Sequence, residues 1–328
     1  MNRKLKILLN YFLAPIIFLV LSWSLYHQIR QQPDIDMRWQ HISANWNQWK
    51  FWLVMLLMLL NWGLEARKWQ VLVHHLQPFN WWNAFKSVLS GCSITMLTPN
   101  RIGEYGGRIL YLKAANRVKA ISLTVVGSIS QLLVTLLMGC AGLFYLRYIS
   151  QSGSDELQVL PHFWGDVLIY LSLGVTIILL LFYWRLGWLV RAIEKIPSFE
   201  KLVKYISILD ELNNWRLLRI VSLSFVRYWV FILQYILLFE VLKVEIPIVA
   251  CFWLITVFYL VMAIAPTIGF VELPIRVTAL WTIVQQYSTN ELGVGAAALG
   301  IWLINLVLPA IIGSILMLRI KIVKDSNE

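Results

Sequence analysis

The residues best suited to chemistry in this sequence occur in one pattern that appears twice. Residues 98–108 and 265–276 both read proline, isoleucine–glycine, glutamate and arginine in that order. In each copy the glutamate precedes the arginine by four positions, so on a helix the two side chains lie on one face and form an ion pair. The predicted pairs are Glu104 with Arg108 and Glu272 with Arg276.

These charged pairs are compatible with three roles. Each pair could neutralise itself and hold its segment in place. Alternatively, Arg108 and Arg276, together with Arg101, could bind the phosphate of a lipid headgroup, because arginine forms paired hydrogen bonds with phosphate oxygens. Glu104 and Glu272 could instead take up and release protons. The residue pattern leaves all three roles open.

The composition shows where these charges must lie. Of 328 residues, 59% are hydrophobic and 14% are charged, and the mean hydropathy is +0.69. A soluble domain has a charged fraction near ~25%, so this chain is an integral membrane protein. Its length accommodates about six to eight membrane segments and leaves no stretch for a separate soluble catalytic domain. The net charge of +11 therefore points to anionic lipid rather than nucleic acid.

Apolar runs define the elements that position the charged pairs. Six segments are long enough to cross the membrane: residues 7–25, 49–68, 120–146, 167–184, 220–242 and 292–318. Residues 87–100 and 277–290 are uncharged for only fourteen positions each, which is below the ~20 needed to cross. The sequence therefore predicts an all-α bundle with six full spans and two re-entrant helical hairpins, and eight full spans are the alternative.

Proline and glycine mark the predicted turn of each hairpin, because they interrupt a helix where one half ends and the next begins. The turn residues are Pro99, Gly103, Pro266 and Gly269. We predict a first hairpin repeat over 84–118 and a second over 247–290, entering from opposite faces. Such an inverted repeat brings broken helices together near the membrane midplane, where they build a site for a charged ligand.

Loop charges predict the orientation. With the N-terminus in the cytoplasm, nineteen of the twenty-eight lysines and arginines lie on the cytoplasmic side and five on the other. This predicts a multi-pass protein of the cell membrane, one domain over 1–328, with both termini cytoplasmic. The basic, amphipathic connector 185–219 is predicted to lie at the cytoplasmic face, either solvated or in contact with anionic lipid.

The motifs resemble a known family. Residues 97–104 with Arg108, residues 67–69 and residues 266–276 are similar to the membrane domain of lysylphosphatidylglycerol synthetases and to related flippase-like membrane proteins. The resemblance implies translocation of a phospholipid or lipid-linked intermediate between leaflets. Members that aminoacylate phosphatidylglycerol carry an additional soluble transferase domain. This chain stops ten residues after its last predicted span, so we expect no lysyl transfer.

Three function classes follow, and a lipid flippase or transporter is the first. A membrane partner or regulatory subunit of a lipid or glycan synthesis enzyme is the alternative. A membrane enzyme acting on lipid phosphates is less favoured, because the deep carboxylates are already paired with arginines and make weak bases. We expect no enzymatic activity, no catalytic residue and no cofactor. We also expect no metal, because the histidines and cysteines have no ligand spacing.

Overall fold

The computed structural model describes residues 48–96, 98, 102–149, 162–194, 205–265 and 272–318. The predicted first span 7–25 lies outside the described residues, as do four predicted site residues: Pro99, Arg101, Pro266 and Gly269. In the part of the chain that is described, the regular structure is helical throughout. The helices are α1 Trp49–Val73, α2 Trp81–Met96, α3 Gly103–Ile109, α4 Ala114–Phe144, α5 His162–Trp184, α6 Leu186–Glu194, α7 Asn214–Val241, α8 Ile248–Ile264, α9 Glu272–Val284, α10 Glu291–Trp302 and α11 Leu308–Leu318.

Four helical stretches are long and apolar enough to cross a membrane. They are Ala114–Arg147, Asp166–Trp184, Asn214–Val241 and Glu291–Met317. These stretches contain or closely match the predicted spans at 120–146, 167–184, 220–242 and 292–318. The prediction of an all-α helical membrane bundle is therefore confirmed.

Helix α1 corresponds to the predicted second span, but its charges lie elsewhere than expected. Glu65 and Lys68 are each 2% exposed and face the interior of the bundle. Their position in the sequence, at the far end of the predicted span 49–68, indicates charges that mark a membrane face. The structure instead buries both side chains among the helices.

Helices α1 and α7 run antiparallel and form the centre of the bundle. At one end the Lys50 ammonium lies 2.8 Å from the Glu240 carboxylate. Towards the other end Lys68 Nζ lies 3.4 Å from Ser224 Oγ. The α4 helix joins this pair through the hydrogen bond of 2.9 Å between the hydroxyls of Ser130 and Ser224.

The first hairpin consists of α2 and α3, packed antiparallel with their backbones very close. A Cβ atom added to Gly107 would lie 2.5 Å from the Cα of Gly91, so only glycine fits at this crossing. The hairpin starts and ends at the same end of the bundle, because the N–H of Lys113 after α3 donates to Gln77 before α2 at 3.2 Å. With seven residues, α3 is only about 10 Å long.

The second hairpin consists of α8 and α9. The side chain of Asn290, which follows α9, donates to the carbonyls of Leu242 and Lys243, which precede α8, at 3.0 and 3.2 Å. This hairpin therefore also starts and ends at one end of the bundle.

The two hairpins open towards opposite ends of α4. Asn116, at the start of α4, donates to the carbonyl of Leu76 at 3.0 Å, beside the open end of the first hairpin. Tyr145, just beyond the end of α4, stacks on Trp253 near the start of α8, with ring centroids 5.1 Å apart. Helix α4 thus relates the two hairpins as an opposed pair.

The predicted basic connector 185–219 contains parts of several elements. Helix α6 covers its start, a short 3-10 helix covers Ser207–Glu211, and α7 already begins at Asn214. Residues 195–204 lie outside the described residues.

Candidate functional site

A cavity of about 550 Å³ lies between the two hairpins and the central helices. Glu104 and Tyr105 of the first hairpin line it, as do Glu272 and Arg276 of the second. Helices α1, α4 and α7 and the last span complete the wall. The structure therefore brings charged residues of both sequence copies to one space, although Arg108 does not line it.

The carboxylate of Glu65 on α1 is the centre of a buried ion cluster beside this cavity. It lies 2.8 Å from the ammonium of Lys68 and 2.6 and 2.7 Å from the guanidinium groups of Arg108 and Arg227. Three cations from α1, α3 and α7 thus converge on one carboxylate that is 2% exposed. A buried ion pair loses its hydration, and such close multiple contacts are what offset that loss.

Arg108 joins this cluster to the first hairpin. One nitrogen of its guanidinium contacts both Glu65 and Glu104, four residues earlier on α3. The guanidinium also lies 5.4 Å from the centre of the Trp69 ring. The predicted ion pair between Glu104 and Arg108 is confirmed.

The cluster as a whole carries an excess of positive charge. Two carboxylates, Glu65 and Glu104, face three cations, which are Lys68, Arg108 and Arg227. Glu272 and Arg276 balance each other, so the charged groups described around the cavity leave one net positive charge. Three cations and three carboxylates line the cavity itself, and the additional positive charge is that of Arg108, which contacts Glu65 and Glu104 but does not line the cavity. A positive charge beside the cavity favours an anionic ligand.

A chain of amide side chains orients Arg227. Its Nε donates to Asn61 at 2.6 Å, and Asn61 donates to Asn305 at 3.0 Å. Asn305 donates in turn to Gln234, whose amide donates to the carbonyl of Val54, both at 3.0 Å. Each amide thus has a buried partner, and the guanidinium is held facing the cavity.

Asn305 reaches this chain from a widened turn in the last span. Residues Leu303–Val307 form a π-helical segment between α10 and α11. Single π-helical turns inside α-helices are frequent at functional sites, because they re-aim side chains. Here the turn faces α1 and α2, and Asn305 and Leu306 line the cavity.

The charged pair of the second hairpin has aromatic surroundings. Arg276 lies 2.6 Å from the carboxylate of Glu272 and donates to the hydroxyl of Tyr235 at 3.4 Å. Its guanidinium is also 5.8 Å from the centre of the Phe258 ring. The second predicted ion pair is therefore confirmed as well.

Gly103 stands at the start of α3, as its prediction as a turn residue requires. Its N–H donates to the hydroxyl of Thr98 at 2.7 Å, which satisfies one of the free N–H groups of the helix start. Gly103 and Gly107, four residues apart, allow the backbone of α3 to lie directly on that of α2.

Sequence reasoning missed three members of the ion cluster. Arg227 was a recognisable signal, because it lies well inside the predicted span 220–242, where a charged side chain is costly. Glu65 and Lys68 are three residues apart, a spacing that places both on one helix face. Their position near the end of a predicted span suggested the membrane surface instead.

Comparison with known proteins gives one match. A family model described as Lysylphosphatidylglycerol synthase TM region matches residues 11–313. No curated protein matches the chain, and no solved structure matches it.

Proposed function

The chain belongs to the family of the lysylphosphatidylglycerol synthase transmembrane region, and on that premise we propose that it is a lipid transporter. It moves an anionic phospholipid or lipid-linked intermediate between the leaflets of the cell membrane. The observation that carries this proposal is the shared cavity, which is lined by both hairpins and lies beside a buried cluster of three cations and two carboxylates.

The membrane arrangement we propose has six spans and two re-entrant hairpins, with both termini in the cytoplasm. The spans are the predicted segment 7–25, α1, α4, α5, α7 and the last span from α10 to α11. The lengths of the hairpin helices support this count, since α3 has seven residues and α9 has thirteen, or about 10 and 20 Å. Both are shorter than the ~30 Å of a hydrocarbon core.

The phosphate of the lipid binds to the cations that line the cavity, which are Lys68, Arg227 and Arg276. These residues come from α1, α7 and α9, so the bound headgroup contacts both the fixed centre and the second hairpin. When the cavity is empty, Glu104 and Glu272 neutralise the positive charges of Arg108 and Arg276. Phosphate oxygens accept paired hydrogen bonds from guanidinium groups, which makes arginine suited to this role.

The acyl chains stay in the bilayer while the headgroup crosses. Val125 and Leu132 line the cavity on α4 and are 38% and 36% exposed, so the cavity wall continues to the apolar outside of the bundle. Alternating exposure of the site between the two hairpins presents the headgroup to one leaflet and then to the other. No covalent step is needed, and we propose that the chain acts without enzymatic activity.

The test removes one charged pair of the cavity as a unit. The double variant Glu272→Gln/Arg276→Met removes both charges of the pair together, so neither described partner is left as an uncompensated buried charge and the protein is expected to fold. Transfer of fluorescent phosphatidylglycerol between leaflets of proteoliposomes should fall to the rate of protein-free vesicles. The amount of variant that inserts into the same vesicles and its elution profile in detergent report whether the variant is folded.

The matched control removes an ion pair outside the cavity. Lys50 and Glu240 are partly exposed, with side chains 32% and 40% accessible, and the double variant Lys50→Met/Glu240→Gln should transport at the wild-type rate. Full transport by the Glu272→Gln/Arg276→Met variant would remove this pair from the mechanism. Absence of transport by the wild-type protein would reject a transporter and favour a partner of a lipid synthesis enzyme.

A further inference from the structure

One end of the bundle carries exposed tryptophans beside exposed cations. Three such tryptophan–cation pairs occur at helical spacing: Trp82 with Lys86 on α2, Trp188 with Arg191 on α6, and Trp215 with Arg219 on α7. The three tryptophans are 63%, 59% and 74% exposed, and all three cations are exposed as well. Residues three or four apart lie on the same face of a helix, so each pair forms a small surface that is both aromatic and positive.

Hydrogen bonds place the three pairs at the same end. Asn116 joins the start of α4 to the segment that precedes α2. The hydroxyl of Tyr183, near the end of α5, donates to the carbonyl of Leu217, near the start of α7, at 3.0 Å. Ser122 on α4 donates to the carbonyl of Tyr205, just before the 3-10 helix, at 3.3 Å. The starts of α2, α4 and α7 therefore meet the end of α5 here, and α6 follows α5 directly.

Helix α6 presents its pair outwards. Its residues Leu186 and Val190 are buried, and the helix packs on the 3-10 helix Ser207–Glu211. On the exposed face the Nε of Arg191 donates to the carbonyl of Gly187 at 3.2 Å. The guanidinium thus reaches back by one turn and lies on the same part of the helix as the tryptophan of its pair.

On α2 and α7 the cation follows the tryptophan by one turn. Helical side chains lean towards the N-terminus of their helix, and long cationic side chains extend their charged ends to the membrane surface. Both helices begin at this end, so Lys86 and Arg219 direct their charges towards the level of the tryptophans. Tryptophan is enriched at the depth of the lipid headgroups, so the cations lie close to the layer of phosphates.

The opposite end also has exposed tryptophans, but its cations are neutralised within the protein. Trp49, at the start of α1, is 68% exposed. Lys50 beside it lies 2.8 Å from the carboxylate of Glu240, and Arg147 lies 2.9 Å from that of Asp166. Among the described residues, by contrast, no ion pair involves the cations of the three tryptophan–cation pairs. These cations are available to an external anion.

We propose that the three tryptophan–cation pairs bind anionic phospholipids of the surrounding leaflet, which is the cytoplasmic leaflet in the proposed membrane arrangement. Each cation binds a lipid phosphate, and the tryptophan packs against the lipid at the headgroup level. None of the six residues lines the cavity, so these lipids are separate from any lipid bound there and the inference does not rest on transport. An acidic soluble protein fits less well, because tryptophans at headgroup depth lie in the membrane interface.

Photo-crosslinking in lipid nanodiscs tests this inference. Wild-type protein is placed in phosphatidylcholine that contains a small fraction of phosphatidylglycerol with a photoreactive diazirine near the start of one acyl chain. Peptide mass spectrometry should find adducts concentrated on segments 82–86, 186–191 and 215–219. Added phosphatidylglycerol should displace the probe, whereas phosphatidylcholine should not. Higher salt should reduce the labelling, because exposed charges are screened.

Single variants test the role of each cation. Arg191→Gln and Arg219→Gln should each reduce the labelling of their own segment about fivefold, the factor that corresponds to one cation near an anionic leaflet, and leave the other segments unchanged. Lys243→Gln is the matched control, because Lys243 is an exposed cation at the opposite end, and it should leave all three segments unchanged. Thermal unfolding in detergent monitors the folded state of each variant.

Three results would overturn the inference. Equal labelling of both ends of the bundle, or the same pattern with a phosphatidylcholine probe, would show that no anionic lipid is selected. Unchanged labelling in both arginine variants would show that the cations do not bind the lipid. Absence of adducts on all three segments of the wild-type protein would assign this surface to a protein partner instead.

Discussion

The two hairpins share one sequence pattern, yet their surroundings differ. In the first, Arg108 contacts two carboxylates, Glu104 on its own helix and Glu65 on α1. In the second, Arg276 contacts one carboxylate, Glu272, and is otherwise surrounded by aromatic side chains. The same i, i+4 pair thus belongs to a cluster of several charges in one copy and has aromatic neighbours in the other.

This difference indicates a division of roles. The first hairpin has its backbone packed directly against itself at Gly91 and Gly107 and is tied to α1 by charge. We infer that it anchors the electrostatic centre of the site. The arginine of the second hairpin lines the cavity, whereas Arg108 does not, and we infer that Arg276 is the arginine of the two that contacts the ligand.

The largest expected effect comes from removing the shared carboxylate. Glu65→Gln leaves Lys68, Arg108 and Arg227 close together without their common partner, and should lower the free energy of unfolding by about 3–5 kcal/mol. Among the described residues, Glu272→Gln removes the carboxylate of one arginine, Arg276, so the loss should be smaller. Chemical unfolding in detergent micelles measures both.

A partly exposed carboxylate provides the control for this comparison. Glu240 pairs with Lys50 at a partly exposed position, and Glu240→Gln should cost no more than about 1 kcal/mol. Equal losses for the Glu65 and Glu272 variants would contradict the distinction between a charge-anchored and an aromatic hairpin.

The next effect concerns the close backbone contact of the first hairpin. Gly107→Ala places a Cβ atom 2.5 Å from the Cα of Gly91, where backbone must shift, and should cost about 1–3 kcal/mol. Gly106→Ala is the control on the same helix, because nothing lies within 4 Å of its added Cβ. Comparison of their unfolding temperatures tests the contact, and a Gly107→Ala variant as stable as Gly106→Ala would show that α2 and α3 pack more loosely.

The smallest expected losses of stability come from removing one hydrogen-bonding side chain beside each hairpin. Ser87 accepts from Trp69 at 2.9 Å and donates to the carbonyl of Arg108 at 2.6 Å, so Ser87→Ala leaves two buried groups unpaired and should cost about 1–2 kcal/mol. Tyr235→Phe removes a longer contact of 3.4 Å to Arg276 and should cost less than about 1 kcal/mol. A reversed order in chemical unfolding would assign the tighter hydrogen bonding to the second hairpin.

Local spacing allowed the correct prediction of several features. The ion pairs of Glu104 with Arg108 and of Glu272 with Arg276 follow from helix periodicity alone, since residues four apart always lie on one face. The long apolar runs of α4, α5, α7 and the last span were also predicted correctly. The hydropathy of a segment indicates whether it can lie in the membrane, and it is read from the residues of that segment alone.

Long-range pairing could not be predicted in this way. Nothing near Glu65 in the sequence indicates that Arg227, 162 positions later, donates to it, or that Asn305 continues the chain through Asn61. A charge close to the end of an apolar run is compatible with both the membrane surface and the bundle interior. Which of the two applies depends on whether a partner from another helix reaches it.

The sequence by itself determined that this chain is an all-α membrane protein with two charged, broken segments, because composition and helix periodicity are local properties. Only the tertiary structure decided that both segments meet at one cavity and that Glu65 gathers three cations there. The physical reason is that buried charges are stable only when opposite charges from separate helices converge on them. That convergence is a property of packing, which no single segment contains.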